Sequence, residues 1–107
     1  MIIPKQIKIG DRYYSIRECM MFWHEKCVAG QINYTTGEIL VKDILRGKEM
    51  ESTFFHEIAH GVLKELEFNY PNVHILRNNE EFTHELGLNL RQIFLQLLDE
   101  QRKWRQK

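Results

Sequence analysis

"TFFHEIAHGV", residues 53–62, decides how the rest of the chain is read. His56 and His60 stand four residues apart with Glu57 directly after the first. On a helix, positions i and i+4 lie one turn apart on the same side. Both imidazoles can then reach one Zn²⁺ at about 2.0–2.1 Å. Glu57 is rotated about 100° from His56, so it can address a metal-bound water as general base without ligating the ion. Phe55, Ile58, Ala59, Val62, Leu63 and Leu66 recur at i, i+3, i+4 and i+7. That rhythm predicts a helix from about Lys48 to Phe68, with Ser52 or Thr53 as the alternative start.

A shuffled chain of this composition would show H-E-x-x-H somewhere about 2–3% of the time, so the bare motif is moderately specific. Its surroundings add weight. Thr53, Phe54, Ile58, Ala59, Gly61 and Val62 are uncharged, as suits a ligand-bearing helix buried behind its metal.

A catalytic zinc site needs a third protein ligand and an open position for water. The extended pattern H-E-x-x-H-x-x-G-x-x-H is excluded, because Leu63 and Leu66 occupy its extra positions. Among the later carboxylates, Glu65 and Glu67 lie on the motif's own helix, too far along it to turn back. Asp99 and Glu100 lie about four turns beyond Glu85, at 3.6 residues per turn. "NNEEFTHEL", residues 78–86, remains. There Glu81 and Glu85 share a face beside the apolar stripe Phe82, Leu86 and Leu90. One carboxylate can bind zinc while the other orients a ligand histidine. Glu80 is about 100° off that face and reads as a first-turn acid favoured by the helix dipole. His84 is an alternative ligand.

Outward from the motif, "GQINYTTGEILVKD" (residues 30–43) carries two alternating runs around Thr35-Thr36-Gly37, the mark of a hairpin closed by a glycine at positive φ. "KQIKIGDRYYSIREC" alternates around Gly10-Asp11 and predicts one or two more short strands. "MMFWHEKCVAG" reads either as a short helix or as an apolar connection. Its His24-Glu25 pair has Val28 where a second histidine would stand. "NYPNVHILRNN", with Pro71 and several asparagines, predicts a loop with one short strand at most. From Glu80 a second long helix follows, with Asn79 as N-cap and an apolar stripe of Phe82, Leu86, Leu90, Ile93, Phe94, Leu97 and Leu98. Strands first and then two long helices make an α+β fold: a small antiparallel sheet of about three strands backed by a helix pair, in one domain over residues 1–107.

Fifteen basic residues balance fifteen acidic ones, so no overall field favours nucleic acid or an anionic membrane. No apolar run approaches the roughly 18 residues of a membrane span, and no leader is expected in "MIIPKQIKIG". A cytoplasmic protein is therefore expected. Cys19 and Cys27 read as reduced, buried thiols, since no tight ligand spacing joins them to His24.

Taken together, "GQINYTTGEILVKD", "STFFHEIAHGVL" and "NEEFTHELGLNL" resemble the zinc-dependent metallopeptidases of the gluzincin branch. The likeness is strongest to the very small phage and prophage-encoded HExxH proteins related to the ImmA/IrrE-type peptidases. The resemblance implies a zincin-like minimal catalytic core that hydrolyses peptide bonds in a peptide or protein substrate. It implies His56 and His60 as zinc ligands, Glu57 as base, Glu81 as third ligand and Glu85 as its neighbour one turn later. Tyr70, His74 and His84 are the downstream candidates for stabilising an oxyanion. The strand from Glu38 to Asp43, if it is an exposed edge, would hold an extended peptide. Two other classes stay open: a catalytically silent zincin-like module that binds a host or phage protein, and a structural domain without metal.

Overall fold

The structure is a computed structural model and describes residues 2–19, 29–43 and 45–105. Four strands, β1 (Gln6–Ile9), β2 (Arg12–Cys19), β3 (Gly30–Asn33) and β4 (Glu38–Lys42), precede the helices α1 (Gly47–Glu67), α2 (Val73–Arg77) and α3 (Glu80–Arg105). The α+β class and the two long helices agree with the sequence. Most of the ambiguous segment 20–30, with His24, Glu25 and Cys27, lies outside the described residues.

The sheet corrects the expectation of about three antiparallel strands. It has four strands in the order β1-β2-β4-β3, and β2 pairs with β4 in parallel. The other two pairings are antiparallel hairpins, turning at Gly10 (φ 61°) and Gly37 (φ 70°) as the glycines suggested. Hydropathy explains why β4 rather than β3 sits inside. Ile39, Leu40 and Val41 form a continuous apolar run suited to a strand flanked on both sides. Gly30, Gln31 and Asn33 make β3 a short polar strand suited to an edge. The edge beside the helices is therefore β3, and the segment from Glu38 to Asp43 is not exposed as an edge.

One face of this sheet meets α1. Ile9, Tyr14, Ile16, Ile39 and Val41 join Phe54 and Phe55 in a single buried cluster, with Ala59 and Leu63 also buried. α1 starts and stops within one residue of the expected span. The stretch expected to be a loop contains the one-and-a-half-turn α2. Pro71 fixes the backbone just ahead of its first turn, where a missing N–H costs nothing. Arg77 then ties α2 back to Glu67 at the end of α1, Nε to Oε2 at 2.5 Å.

α3 packs against α1 in the opposite sense. Arg91 reaches Glu51 at 2.8 Å, Phe94 stacks near Phe55 at 5.6 Å between centroids, and Gly87 faces His56. The apolar stripe expected to be buried is only half so: Ile93 is 54% and Leu97 60% exposed. With 26 residues against the 21 of α1, the last turns of α3 run past the start of α1. The buried residues of α3 are small instead, Thr83 and Gly87. A Cβ on Gly87 would sit 2.9 Å from His56 Cα and 3.0 Å from both His56 N and Phe55 O. These are backbone atoms and cannot swing aside.

Gly87→Ala is accordingly expected to destabilise the fold by about 1–2 kcal/mol, because overpacking outweighs the roughly 1 kcal/mol that alanine gains in a helix. A urea titration should show a lower midpoint at unchanged slope. A midpoint at or above wild type would mean that the helices do not meet this closely.

Candidate metal centre and cleft

His56 and His60 project from one side of α1, and their Nε2 atoms lie 3.2 Å apart. The carboxylate that meets them belongs to Glu80: Oε2 is 3.1 Å from His56 Nε2 and Oε1 is 3.1 Å from His60 Nε2. Among the described residues these three form the group whose donor atoms converge as a metal site requires. The structure thus brings Glu80, rather than the expected Glu81 or Glu85, to the histidine pair. Glu81 and Glu85 are exposed and outside the cluster.

The reason lies in which face of α3 touches α1. Bulky Phe82 and Leu86 suggested that their face was the buried one, with Glu81 and Glu85 at its border. The contact is made instead by Thr83 and Gly87, small enough to bring the helix axes close. Counting back by helical steps of four and three from Gly87 gives Thr83 and then Glu80, so Glu80 is on the contact stripe. Asn79 caps the helix as expected, its Oδ1 accepting the Phe82 N–H at 3.0 Å, and this fixes Glu80 as the first helical residue. The sequence signal available for this choice was Gly87, seven residues after Glu80.

The donor set suits zinc. Two imidazole nitrogens and a carboxylate are ordinary ligands for it, and ligands at 2.0–2.1 Å in a tetrahedron stand about 3.4 Å apart. The observed separations of 3.1–3.2 Å are a few tenths short of that, a gap that small side-chain rotations close. Burial is the main influence holding His60 below its ordinary value, with His56 and Arg77 acting the same way and Glu80 opposing. A neutral imidazole is the ligating form.

Glu57 is set apart from the ligands by its burial. It is 6% exposed, and among the described residues no group donates a hydrogen bond to it. Burial first, and the neighbouring Glu80 charge second, push its carboxyl up to about 7. A carboxyl titrating there can both take up and release a proton at neutral pH.

These groups line a cleft of about 770 Å³ between α1, the start of α3 and the edge of β3. β3 lies close against α1 because Gly30 has no side chain: a Cβ there would meet Thr53 Cγ2 at 2.6 Å and Glu57 Cγ at 3.3 Å. Tyr34, in the β3–β4 turn, also lines the cleft, and its hydroxyl donates to the His60 carbonyl at 3.4 Å. His84 sits one turn after Glu80 on the cleft wall, its ring centroid 5.7 Å from that of His56 but outside the converging trio. Tyr70 and His74, the other downstream candidates, do not line the cleft. Gly30, Tyr34 and Glu80 carried no motif-level signal, since their roles come from contacts between elements distant in sequence.

The raised Glu57 carboxyl makes the metal-free protein sensitive to pH. In the unfolded chain the group titrates near 4.5 and in the fold near 7, so the fold holds the proton more tightly. Its contribution is complete below about pH 4.5 and is lost as pH rises through 7, up to about 3 kcal/mol in all. Chemical denaturation of chelator-treated protein at pH 5 and pH 8 should show this decline, and Glu57→Gln should remove most of it; equal declines in both proteins would contradict the burial of this carboxyl. No protein-family model, curated protein or solved structure matches the chain.

Proposed function

We propose that this chain is a zinc-dependent peptide hydrolase in which His56, His60 and Glu80 hold the metal and Glu57 is the general base. The observation that carries the reading is the convergence of three ligand atoms, 3.1–3.2 Å apart, beside a buried carboxyl in a cleft open to a strand edge. The ImmA/IrrE-like and zincin-like resemblance of the motif blocks is part of the same proposal. It differs in placing the third ligand at Glu80.

Zinc, when bound, supplies Lewis acidity toward a carbonyl and lowers the pKa of water toward neutrality. The rest falls to the chain. Glu57 stands one residue from His56 and accepts the proton of the attacking water, then delivers it to the departing amine. Its apolar burial keeps it basic enough for the first step. His84, beside His56 and exposed to the cleft, is placed to hold the orientation of that imidazole or to face the developing oxyanion.

Substrate selection fits the β3 edge. The Lys42 N–H bonds the Ala29 carbonyl at 2.9 Å, and Gly30 stands opposite Val41. Antiparallel alternation then turns the backbone groups of Gly30 and Ile32 away from β4, toward the cleft side of the edge. An extended peptide can pair with them by strand addition, which ties recognition to main chain and suits a peptidase.

Purified protein offered zinc should take up one ion per chain. Glu80→Gln should weaken that uptake by more than the 10- to 100-fold typical of outer partners, whereas Glu81→Gln and Glu85→Gln should stay close to wild type. Failure to take up zinc sinks the metal reading, and loss in Glu81→Gln alone would move the third ligand back to that residue. Glu57→Gln should keep the ion and lose about 10²–10⁴-fold in peptide hydrolysis. A zinc-loaded wild type that cleaves no member of a broad peptide mixture would favour a catalytically silent binding module.

A further inference from the structure

The hydrolase reading leaves without a role the cations that stand just past the Tyr34 end of the cleft. Beyond His60, Lys64 follows one turn later on α1, and its Nζ lies 5.6 Å from the centroid of the Tyr34 ring. The Arg77 guanidinium carbon lies 5.8 Å from the same centroid. Arg77 is already matched by Glu67, at 2.5 Å. Lys64 acts on Glu67 only at longer range, and among the described residues it has no carboxylate within ion-pair distance. Tyr34 itself lines the cleft and is fixed by its bond to the His60 carbonyl. The result, among the described residues, is one cation without an ion-pair contact, backed by an ion pair and braced by an aromatic ring.

We infer that the surface just past the Tyr34 end of the cleft is a subsite for a substrate carboxylate, with Lys64, which stands outside the cleft's own lining, as the recognising cation and Tyr34 and Arg77 as its frame. The inference rests on the hydrolase reading for its use, though binding of a carboxylate there can be measured without catalysis.

β3 and α1 run side by side in the same direction, which sets where such a carboxylate falls. Gly30 lies against Thr53 and Glu57, the side chain of Ile32 against Gly61, and Tyr34 against His60. A peptide extended along β3 therefore passes the histidine pair and arrives at Lys64. From the midpoint of His56 and His60 to Lys64 is six helical residues, about 9 Å. An extended peptide covers that in two to three residues of about 3.3 Å each. The subsite thus calls for Asp, Glu or a free C-terminus two or three residues from the scissile bond. Among the described residues, the opposite end around Ala29, Ser52 and Thr53 offers no charged side chain, so the preference is expected on the Lys64 side of the scissile bond.

Lys64 is half-buried rather than enclosed, so the preference should be modest, about three- to tenfold, and should weaken from 50 to 500 mM salt. Two readouts test it. Zinc-loaded wild type is incubated with a defined mixture of synthetic peptides that place Asp or Glu at every position, in free-acid and amidated forms, and cleavage sites are read by mass spectrometry. In parallel, fluorescein-labelled members of the set are titrated against zinc-loaded Glu57→Gln by anisotropy.

Acidic residues should be enriched at one fixed offset, and the same peptides should bind Glu57→Gln more tightly. Retention of the preference in amidated peptides assigns it to a side chain. Its restriction to free acids assigns it to the C-terminus. Lys64→Gln should abolish the preference, Lys64→Glu should reverse it, and Lys64→Arg should largely keep it, with melting curves matching wild type. Absence of any acidic preference in both readouts, or a preference untouched by Lys64→Glu, overturns the subsite. Binding that prefers acids through Lys64 in a protein that cleaves nothing would retain the subsite and sink the hydrolase reading.

Discussion

The close approach of Gly87 on α3 to the backbone of Phe55 and His56 on α1 sets where Glu80 can stand. A Cβ on Gly87 would lie 2.9–3.0 Å from three backbone atoms of α1, so no other residue fits without pushing the helices apart. Seven residues before Gly87, the same stripe of α3 delivers Glu80 to the two imidazoles. Glu80 is 70% exposed, so it is not held there by burial. Its position is inherited from the helix contact and from the Asn79 cap. The site therefore depends on a packing feature two turns away more than on contacts of its own carboxylate.

That contact also explains an asymmetry in the core. The sheet and the inner face of α1 share a dense cluster of aliphatic and aromatic side chains, whereas α3 contributes chiefly Thr83, Gly87 and the partly buried Leu90. Bulkier residues on this face would bury more apolar surface, at about 25 cal/mol per Å². They would also hold Glu80 away from His56 and His60. Glu57 embodies the same compromise in electrostatic form. Its burial, with no hydrogen-bond donor among the described residues, costs stability once it ionises, and that cost keeps its proton affinity near neutrality.

Most of the scaffold was legible in the sequence because it rests on local pattern. The period-2 runs gave the strands, leaving open whether the first segment held one or two, the glycines gave turns at Gly10 and Gly37, and the 3.6-residue rhythm gave α1 to within a residue at each end and the start of α3. The parallel pairing of β2 with β4 was not legible, since strand order is decided by which strand tolerates two neighbours, a comparison across the whole sheet. Of the site, His56, Glu57 and His60 declared themselves because their spacing is one helical turn. Glu80 did not, because the apolar stripe of Phe82 and Leu86 pointed to the wrong face of α3. Large apolar side chains usually mark a contact, but at a close helix crossing small residues mark it, and here the two signals disagreed by about one residue's rotation.

The placement of β3 completes the division of labour between sheet and helices. An exposed strand edge invites unwanted pairing, and natural edges are kept short, polar or covered. β3 is four residues long, carries Gln31 and Asn33, and faces a cleft walled by α1 and the start of α3. On the peptidase proposal, these walls would admit a single extended chain more readily than the flat sheet edge of another molecule. The features that protect the edge against aggregation therefore also narrow what it can bind. Gly30 contributes to both, since its missing side chain lets the edge sit against Thr53 and Glu57 and brings any paired backbone next to the buried carboxyl. In a chain of 107 residues this economy is physical: β3 lines the cleft, α1 supplies two converging imidazoles and a buried carboxyl, and α3 brings one carboxylate to them across a contact that only glycine permits.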